Sequence, residues 1–461
     1  MRITLSLLTA AVVLAFSAPA AMATNGHQMM GIGAYQKSMG GAVTAAPYDT
    51  TTAVANPAGI ALIGTKADFN FDLFMPSRTA DFTNMGGQSN QGGSPLYLVP
   101  AVGWVGPVDG RDDLFFGGGM FLVSGMGVDY DSINAGPFDA VLTQLAGGVP
   151  GAESMTMYKA NMYSQYQFWK LAPSLAKKVN EQLTLGVALN VDYQQLAVKQ
   201  KFYKPGTGSY LGMDLSRASG ALGFGFTLGA VYKMNEMITL GATYTSEQSF
   251  ADMEYRLSGG DVLWTPDATG NMAMNRDGTY KIGMNFPQQL AVGVAIAPSS
   301  ALKITADVKW INFKSTHDKV NLKGTFDLIN MMTGPTGQTA SSVALPFGWD
   351  DVMVYALGLE FKATDMVTLR AGYNHGASPI QQEDVFNNLV FPAIVEDHIG
   401  LGADFTLGDH WGLGLAYMKA FKKSFEGKND MTMLGQTISS ASKIELEEQS
   451  LILALSYNFG K

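Results

Sequence analysis

The chain of 461 residues has no cysteine. That excludes disulfide frameworks, thiolate metal sites and cysteine nucleophiles. It is poor in charge as well: Asp, Glu, Lys and Arg make up 15% of it, where soluble domains run at about 25%. Lysine and arginine are scattered, never more than two together, in a chain of net charge −9, so no basic stripe exists to neutralise a nucleic-acid backbone. After residue 23 no apolar run reaches the ~18 residues that a membrane-spanning helix needs. The five histidines (27, 317, 375, 398 and 410) are dispersed and form no HExxH or close metal spacing. Walker A and GxSxG motifs are absent, so the sequence points away from an enzyme and calls for no cofactor or metal.

Apolar residues are nonetheless abundant, at 47%, with 53 Gly, 25 Phe and 18 Tyr. Disorder is excluded by that content. The first 23 residues read as an export signal. Arg2 supplies the positive start, residues 3–16 the apolar stretch, and Ala21-Met22-Ala23 the small-x-small cleavage pattern. The mature chain is expected to begin at Thr24, and the absence of cysteine there excludes a lipoprotein anchor.

An exported apolar chain without a spanning helix needs another use for its hydrophobic surface, and alternation supplies one. In segment 183–193, Leu183, Leu185, Val187, Leu189, Val191 and Tyr193 share one parity. Thr184, Gly186, Ala188, Asn190 and Asp192 share the other. Successive strand side chains point to opposite faces, so this segment has one apolar face and one small or polar face. Segments 302–310, 367–374 and 399–407 repeat the pattern. A soluble β-sandwich or small barrel could also alternate. Tyr193, Tyr244, Trp310, Tyr373, Tyr417, Tyr457 and Phe459 favour a membrane instead, because they fall near strand ends on the apolar face, as an interfacial aromatic girdle does.

Short turns precede hydrophobic-x-hydrophobic starts: Asn180-Glu181-Gln182, Asn235-Glu236-Met237, Ser299-Ser300-Ala301, Thr364-Asp365-Met366 and Gly408-Asp409-His410, with 109–113 as the first of the set. They alternate with long connections at 80–95, 129–160, 201–218, 258–285, 314–348, 376–393 and 426–442. Short periplasmic turns and long extracellular loops are the habit of outer-membrane barrels. The expected fold is all-β, a transmembrane antiparallel barrel of about 14 strands over 65–461, with both termini periplasmic. Luminal Asp192, Lys303, Asp307, Lys309, Glu360, Arg370 and Asp404 read as solvated charges of a polar interior.

Residues 24–64 do not alternate; they are small, Gly-rich and nearly uncharged, and end near Asn56-Pro57-Ala58-Gly59. Such a stretch suits an N-terminal plug packed in the lumen better than a solvated tail. With this motif the chain resembles the FadL/TodX family of outer-membrane transporters for hydrophobic compounds. The resemblance lies in SMGGAVTAAPYDTTTAVANPAGIA before the barrel, LAPSLAKKVNEQLTLGVALNVDY in a central hairpin and FPQQLAVGVAIAP after a long loop. It implies a monomer in outer-membrane lipid beneath lipopolysaccharide, which passively takes up long-chain fatty acids or aromatic hydrocarbons. The N-terminal hatch would gate the path, and release would be lateral at a kinked third strand.

Transferred to this chain, the resemblance assigns ligand capture to two loops. One offers Phe202, Tyr203, Tyr210, Leu211, Met213 and Leu215; the other Val262, Leu263, Trp264, Met272 and Met274. The same residues could pack on each other as a lid. Gly117, Gly118, Gly119, Gly125 and Gly127 are the lateral-gate candidates, though ordinary barrel curvature also uses glycine. Lys303 and Arg370 are candidates to hold a ligand carboxylate, with cross-lumen salt pairing as the alternative. A general polar porin, or a receptor or adhesin on a barrel scaffold, remains the alternative function.

Overall fold

The structure is a computed structural model that describes residues 24–460, apart from 86, 94–95, 137–157, 204–209, 265–270, 331–332, 428, 434–435 and 441. The export signal expected at 1–23 therefore lies outside the described residues. Fourteen antiparallel strands form one closed barrel. They are β1 Lys66–Asp81, β2 Tyr97–Pro107, β3 Leu114–Gly136, β4 Tyr158–Leu171 with Ser174–Lys178, β5 Leu183–Tyr203, β6 Tyr210–Lys233 and β7 Ile238–Thr245 with Met253–Leu257. The second half comprises β8 Gly278–Ile282 with Gln289–Ser299, β9 Leu302–Ile311, β10 Val352–Lys362, β11 Val367–Gly376, β12 Asp397–Leu407, β13 Trp411–Glu426 and β14 Lys443–Asn458. Closure is made by β14 on β1, in register from Lys66↔Asn458 to Asp81↔Lys443.

Alternation sets the faces. Leu185, Val187 and Leu189 are exposed on the outer wall, while Thr184, Asn190 and Asp192 are buried inward. Leu451, Leu453 and Leu455 likewise face out beside Leu415 and Leu401. Each such side chain gains about 1.5–3 kcal/mol on leaving water, so hydrocarbon is its stable surrounding. Exposed Trp104, Tyr232 and Trp411 lie toward the end with the short turns, and Tyr355 and Tyr373 toward the other.

Most of the expected loops are partly strand, and two show it at length. Residues 201–203 and 210–218 continue the β5–β6 ladder, with Phe202 opposite Leu211 and a bulge between Leu215 and Ser219. Within 314–348 lies a hairpin of Lys319–Asn330 and Gly334–Pro346 whose first arm also pairs with 271–275. Both stand beyond the spanning part, where length is limited by ladder hydrogen bonds and not by bilayer thickness.

Residues 24–64, the inner segment, hold a hairpin of Thr24–Asn25 and Gln28–Met29, helices α1 Gly33–Ser38 and α2 Thr52–Ala55, and a 3-10 turn Pro57–Leu62. This segment contacts strands around the circumference, which only a chain inside the cylinder can do. Asn70 of β1 accepts from Ala34 N (3.1 Å), Asn56 Nδ2 donates to Ala230 O of β6 (3.0 Å), and Asp307 of β9 accepts from Val43 N (2.9 Å) and Thr44 N (2.8 Å). Inward glycines admit it: a Cβ on Gly186, Gly229, Gly241, Gly372 or Gly400 would strike Ala58, Asn56, Thr44, Gly40 or Lys37. Three of the luminal charges read as solvated, Asp192, Asp307 and Arg370, are instead buried, the last two against the inner segment; Lys303, Lys309, Glu360 and Asp404 are half-buried.

Gly372→Leu should loosen the inner segment and lower barrel stability by about 1–3 kcal/mol, the usual cost of overpacking. Gly106→Ala, whose Cβ would meet only Thr65 at 3.5 Å, should leave it unchanged. Urea midpoints in detergent check both.

Candidate ligand passage

The apolar candidates assigned to two loops do come together. Gly212 of β6 is the register partner of Val262, and Val262 and Leu263 pair with Met274 and Ala273. Asp214 N donates to Asp261 (3.0 Å), and Lys201 reaches Asp214 (3.4 Å) and Asp261 (3.9 Å). Phe202, Met213, Leu215 and Leu263 are buried in one apolar cluster, and Met272 is buried as well; Tyr203, Leu211, Val262 and Met274 are half-buried. Tyr203 shares a hydrogen bond with Ser132 (2.9 Å). The side chains of Tyr210 and Trp264 lie outside the described residues.

A third contributor escaped the sequence reading. The connection between β11 and β12 folds inward, burying Val385, Leu389, Val390, Phe391, Ile394 and Val395. Phe386 stacks on Phe202 at 5.6 Å, and Asn388 accepts from Trp349 Nε1 (2.8 Å) while donating to Phe347 O (2.7 Å). Ser164 of β4 donates to Val390 O. The signal was present: Leu389–Val395 is apolar apart from Pro392, with no alternation. A surface loop cannot hydrate such a run.

Below this cap, His27 of the inner segment sits in a box of rings. Tyr166, Phe286, Phe313 and Trp349 lie 5.2–5.4 Å from it, and His317 lies at 4.7 Å. Ser124 donates to His27 O (2.7 Å), so its oxygen accepts from His27 Nδ1. His27 Nε2 must then accept from His317 Nε2 (2.8 Å), and His317 Nδ1 from Thr316 (2.7 Å). Each imidazole carries one proton in this chain. Burial, reinforced by His317, holds His27 well below the usual histidine range, and burial pushes His317 down to about 3.

Ser124 belongs to β3 at the point where that strand parts from its neighbour. The β2–β3 ladder runs from Pro107↔Phe115 to Ala101↔Phe121 and no further, while Tyr97–Pro100 of β2 pair only with β1. Beyond Phe121 the strand shifts register against β4 between Leu122 and Ser124, and Ser124 pairs with Gln28 of the inner segment. Gly117, Gly118 and Gly119 stay in the ladder opposite Val105, Trp104 and Gly103. Gly125 and Gly127 lie past the break: Gly125 N donates to His27 O (3.3 Å), and Gly127 O accepts from Arg78. Arg78 also reaches Tyr97 (3.0 Å) and Gly93 O (2.7 Å), tying β1 to β3 where β2 does not.

Lys303 and Arg370 are engaged with the barrel. Lys303 donates to Glu360 (2.8 Å), and Arg370 bonds Glu360 (2.7 Å) and Asp404 (2.8 Å). The guanidinium lies 4.3 Å from the ring of Tyr48 and 4.8 Å from that of Tyr35, which stack on each other. This bracket grips the inner segment from below. No group of three metal-ligating side chains occurs among the described residues.

The profile of the family described as outer membrane protein transport protein (OMPP1/FadL/TodX) matches residues 150–460. Among solved structures the chain is similar to the toluene transporter TodX of Pseudomonas putida, at TM-score 0.67 and 20% identity over 94% of this chain and 99% of that one. It is similar to a FadL homologue of Pseudomonas aeruginosa (TM-score 0.67, 18% identity, 94% and 100% covered). The toluene transporter TbuX of Ralstonia pickettii is a third (TM-score 0.63, 18% identity, 94% and 99% covered). These identities speak for the fold. No curated protein sequence matches.

Arg370→Ala leaves Glu360 facing Asp404 without the cation between them, and should cost about 3–5 kcal/mol, measured as an earlier urea midpoint. In the inward cap, burial pushes Asp384 up to about 6, with Glu383, Asp318 and Asp350 adding to it against Asn387. Its folded pKa is raised, so its stabilisation is present in acid and lost as pH rises through about 6. Hydrogen exchange of 382–391, corrected for intrinsic rates, should therefore be faster at pH 8 than at pH 5, and equal at both in Asp384→Asn.

Proposed function

Because the chain belongs to the outer membrane protein transport protein (OMPP1/FadL/TodX) family, we propose that it is a channel for passive uptake of hydrophobic small molecules, long-chain fatty acids or aromatic hydrocarbons. In this reading the chain is exported through a cleaved signal, works as a monomer in the bacterial outer membrane, and catalyses no reaction. The physical need is a shielded route. A water-filled pore offers an oily solute no favourable surrounding, so the path has to be apolar and open sideways into the bilayer.

The apolar cluster around Phe202, Met213, Leu263 and the inward cap supports capture from outside. Phe168, Phe286 and the rings around His27 continue that surface toward the inner segment. The observation that carries the reading is the interrupted β2–β3 ladder, whose free edge is occupied by Gln28 of the inner segment. Withdrawal of the hairpin 24–29 would leave a gap in the wall lined by Phe121, Leu122 and Val123. The inner segment is thus the hatch, and its release from Ser124 the gating step.

The natural chain contains no cysteine, so Gln28→Cys with Ser124→Cys introduces the only thiols. Strand partners lie within disulfide reach. Cells carrying this pair should take up labelled toluene or oleate at background rate when oxidised, and at the reduced-state rate after reductant. Undiminished uptake through the crosslinked barrel would refute the hatch. Equal influx of a small polar sugar would mark a general porin, and binding without influx a receptor.

A further inference from the structure

Glu448 points inward from β14, and it is 3% exposed. A buried carboxylate is costly unless it is paired or richly hydrogen-bonded. Among the described residues its one hydrogen-bond donor is the main-chain nitrogen of Thr24, at 3.2 Å. The nearby cations are engaged elsewhere. Lys37 pairs with Asp72 and Ser450, and Arg78 is held by Tyr97 and the carbonyls of Gly93 and Gly127. A single neutral amide is a poor complement for a buried negative charge.

That nitrogen has a second property. It follows Ala21-Met22-Ala23 directly, the cleavage pattern of the export signal. Hydrolysis of the Ala23–Thr24 bond by the signal peptidase adds water, leaves a carboxylate on Ala23 and frees an amine on Thr24. An ordinary α-amino group has a pKa of about 7.7–8.0 and is mostly protonated at neutral pH. One donor without charge thereby becomes three donors with a unit charge, at the atom already facing Glu448.

We propose that the α-ammonium of mature Thr24 is the countercharge of Glu448, and that this buried ion pair seats the inner segment only after the export signal has been removed. The pair anchors one end of a short bridge. Thr24 is 2% exposed and pairs with Met29, and the adjoining Gln28 pairs with Ser124 of β3. The hairpin is thereby strung between β14 and the open edge of β3. A retained leader would keep an amide at this position and leave the carboxylate with only the fields of Lys37 and Arg78, both bonded elsewhere, so export processing and hatch closure are one chemical event. The inference rests on cleavage after Ala23, and it holds whatever solute the channel carries.

The test uses protein extracted from outer membranes. Its intact mass should correspond to a chain beginning at Thr24; a different first residue overturns the proposal. An aldehyde reagent selective for α-amines should then label native protein at least about tenfold more slowly than unfolded protein, as expected for an amine held in a buried ion pair. Glu448→Gln should abolish that protection and speed protease cleavage within 24–64. A chain refolded with one extra alanine ahead of Thr24, which leaves every barrel strand untouched, should show the same faster cleavage. Combined with Glu448→Gln it should show no further increase, since both changes remove one interaction. Labelling of native protein at the unfolded rate, or unchanged protection in Glu448→Gln, would overturn the pair, and additive effects would separate the two partners.

Discussion

Hydrocarbon offers no hydrogen bonds, so every backbone N–H and C=O of a spanning strand must find a partner within the protein. The rest of this molecule follows from that constraint. Closure of β14 on β1 satisfies the outermost edges along the whole of β1. Among the described residues, pairing between β2 and β3 stops beyond Phe121, and that edge is not left bare. Gln28, the carbonyl of His27 and the guanidinium of Arg78 take up the edge groups that β2 does not reach. A wall of this kind can open only where its hydrogen bonds come from something detachable, and in the proposed reading the inner segment is that part.

Retaining the inner segment poses the opposite problem. Met29, Met30, Ile32, Met39 and Ile60 of this segment are buried, but the many Gly and Ala between them add little apolar area. Its hold on the barrel is polar and backbone-directed. Asp307 receives two main-chain N–H groups, Asn70 one, and Arg370 clamps the Tyr35–Tyr48 stack while bonded to Glu360 and Asp404. Inward glycines let main chain approach main chain closely enough for these bonds to form. Polar attachments of this sort are directional and can be exchanged for water, unlike a fused apolar core. That suits the proposed role of a segment that seats once and yields later.

The upper half is built differently. There the apolar ends of β5 and β6, the short strands at 262–264 and 271–275, and the inward connection 377–396 merge into one oily layer. His27 lies at its lower limit, neutral and enclosed by rings. The passage thus grades from an apolar mouth to a polar collar, and the collar is where the wall ladder is interrupted. In the proposed reading, entry, retention and exit fall on three kinds of chemistry in a single column.

Much of this was legible from residue order. Period-two alternation around Leu185, Val187 and Leu189 settles which side chains leave the cylinder, because a strand allows only two faces. The turns at 180–182 and 235–237 mark where one strand passes to the next, because adjacent antiparallel strands need short links. Small residues between 24 and 64 mark a segment that packs against main chain. What tertiary structure alone decided is which groups meet across the lumen. Nothing local pairs His27 with His317, Arg370 with Tyr48, or Thr24 with Glu448, and nothing local says that β3 parts from β2 at Leu122 rather than at its run of three glycines. Alternation is a property of one strand and is written along it. Contacts across a barrel depend on the stagger of all the strands together and on the chain folded inside them, so they exist only once the ring has closed.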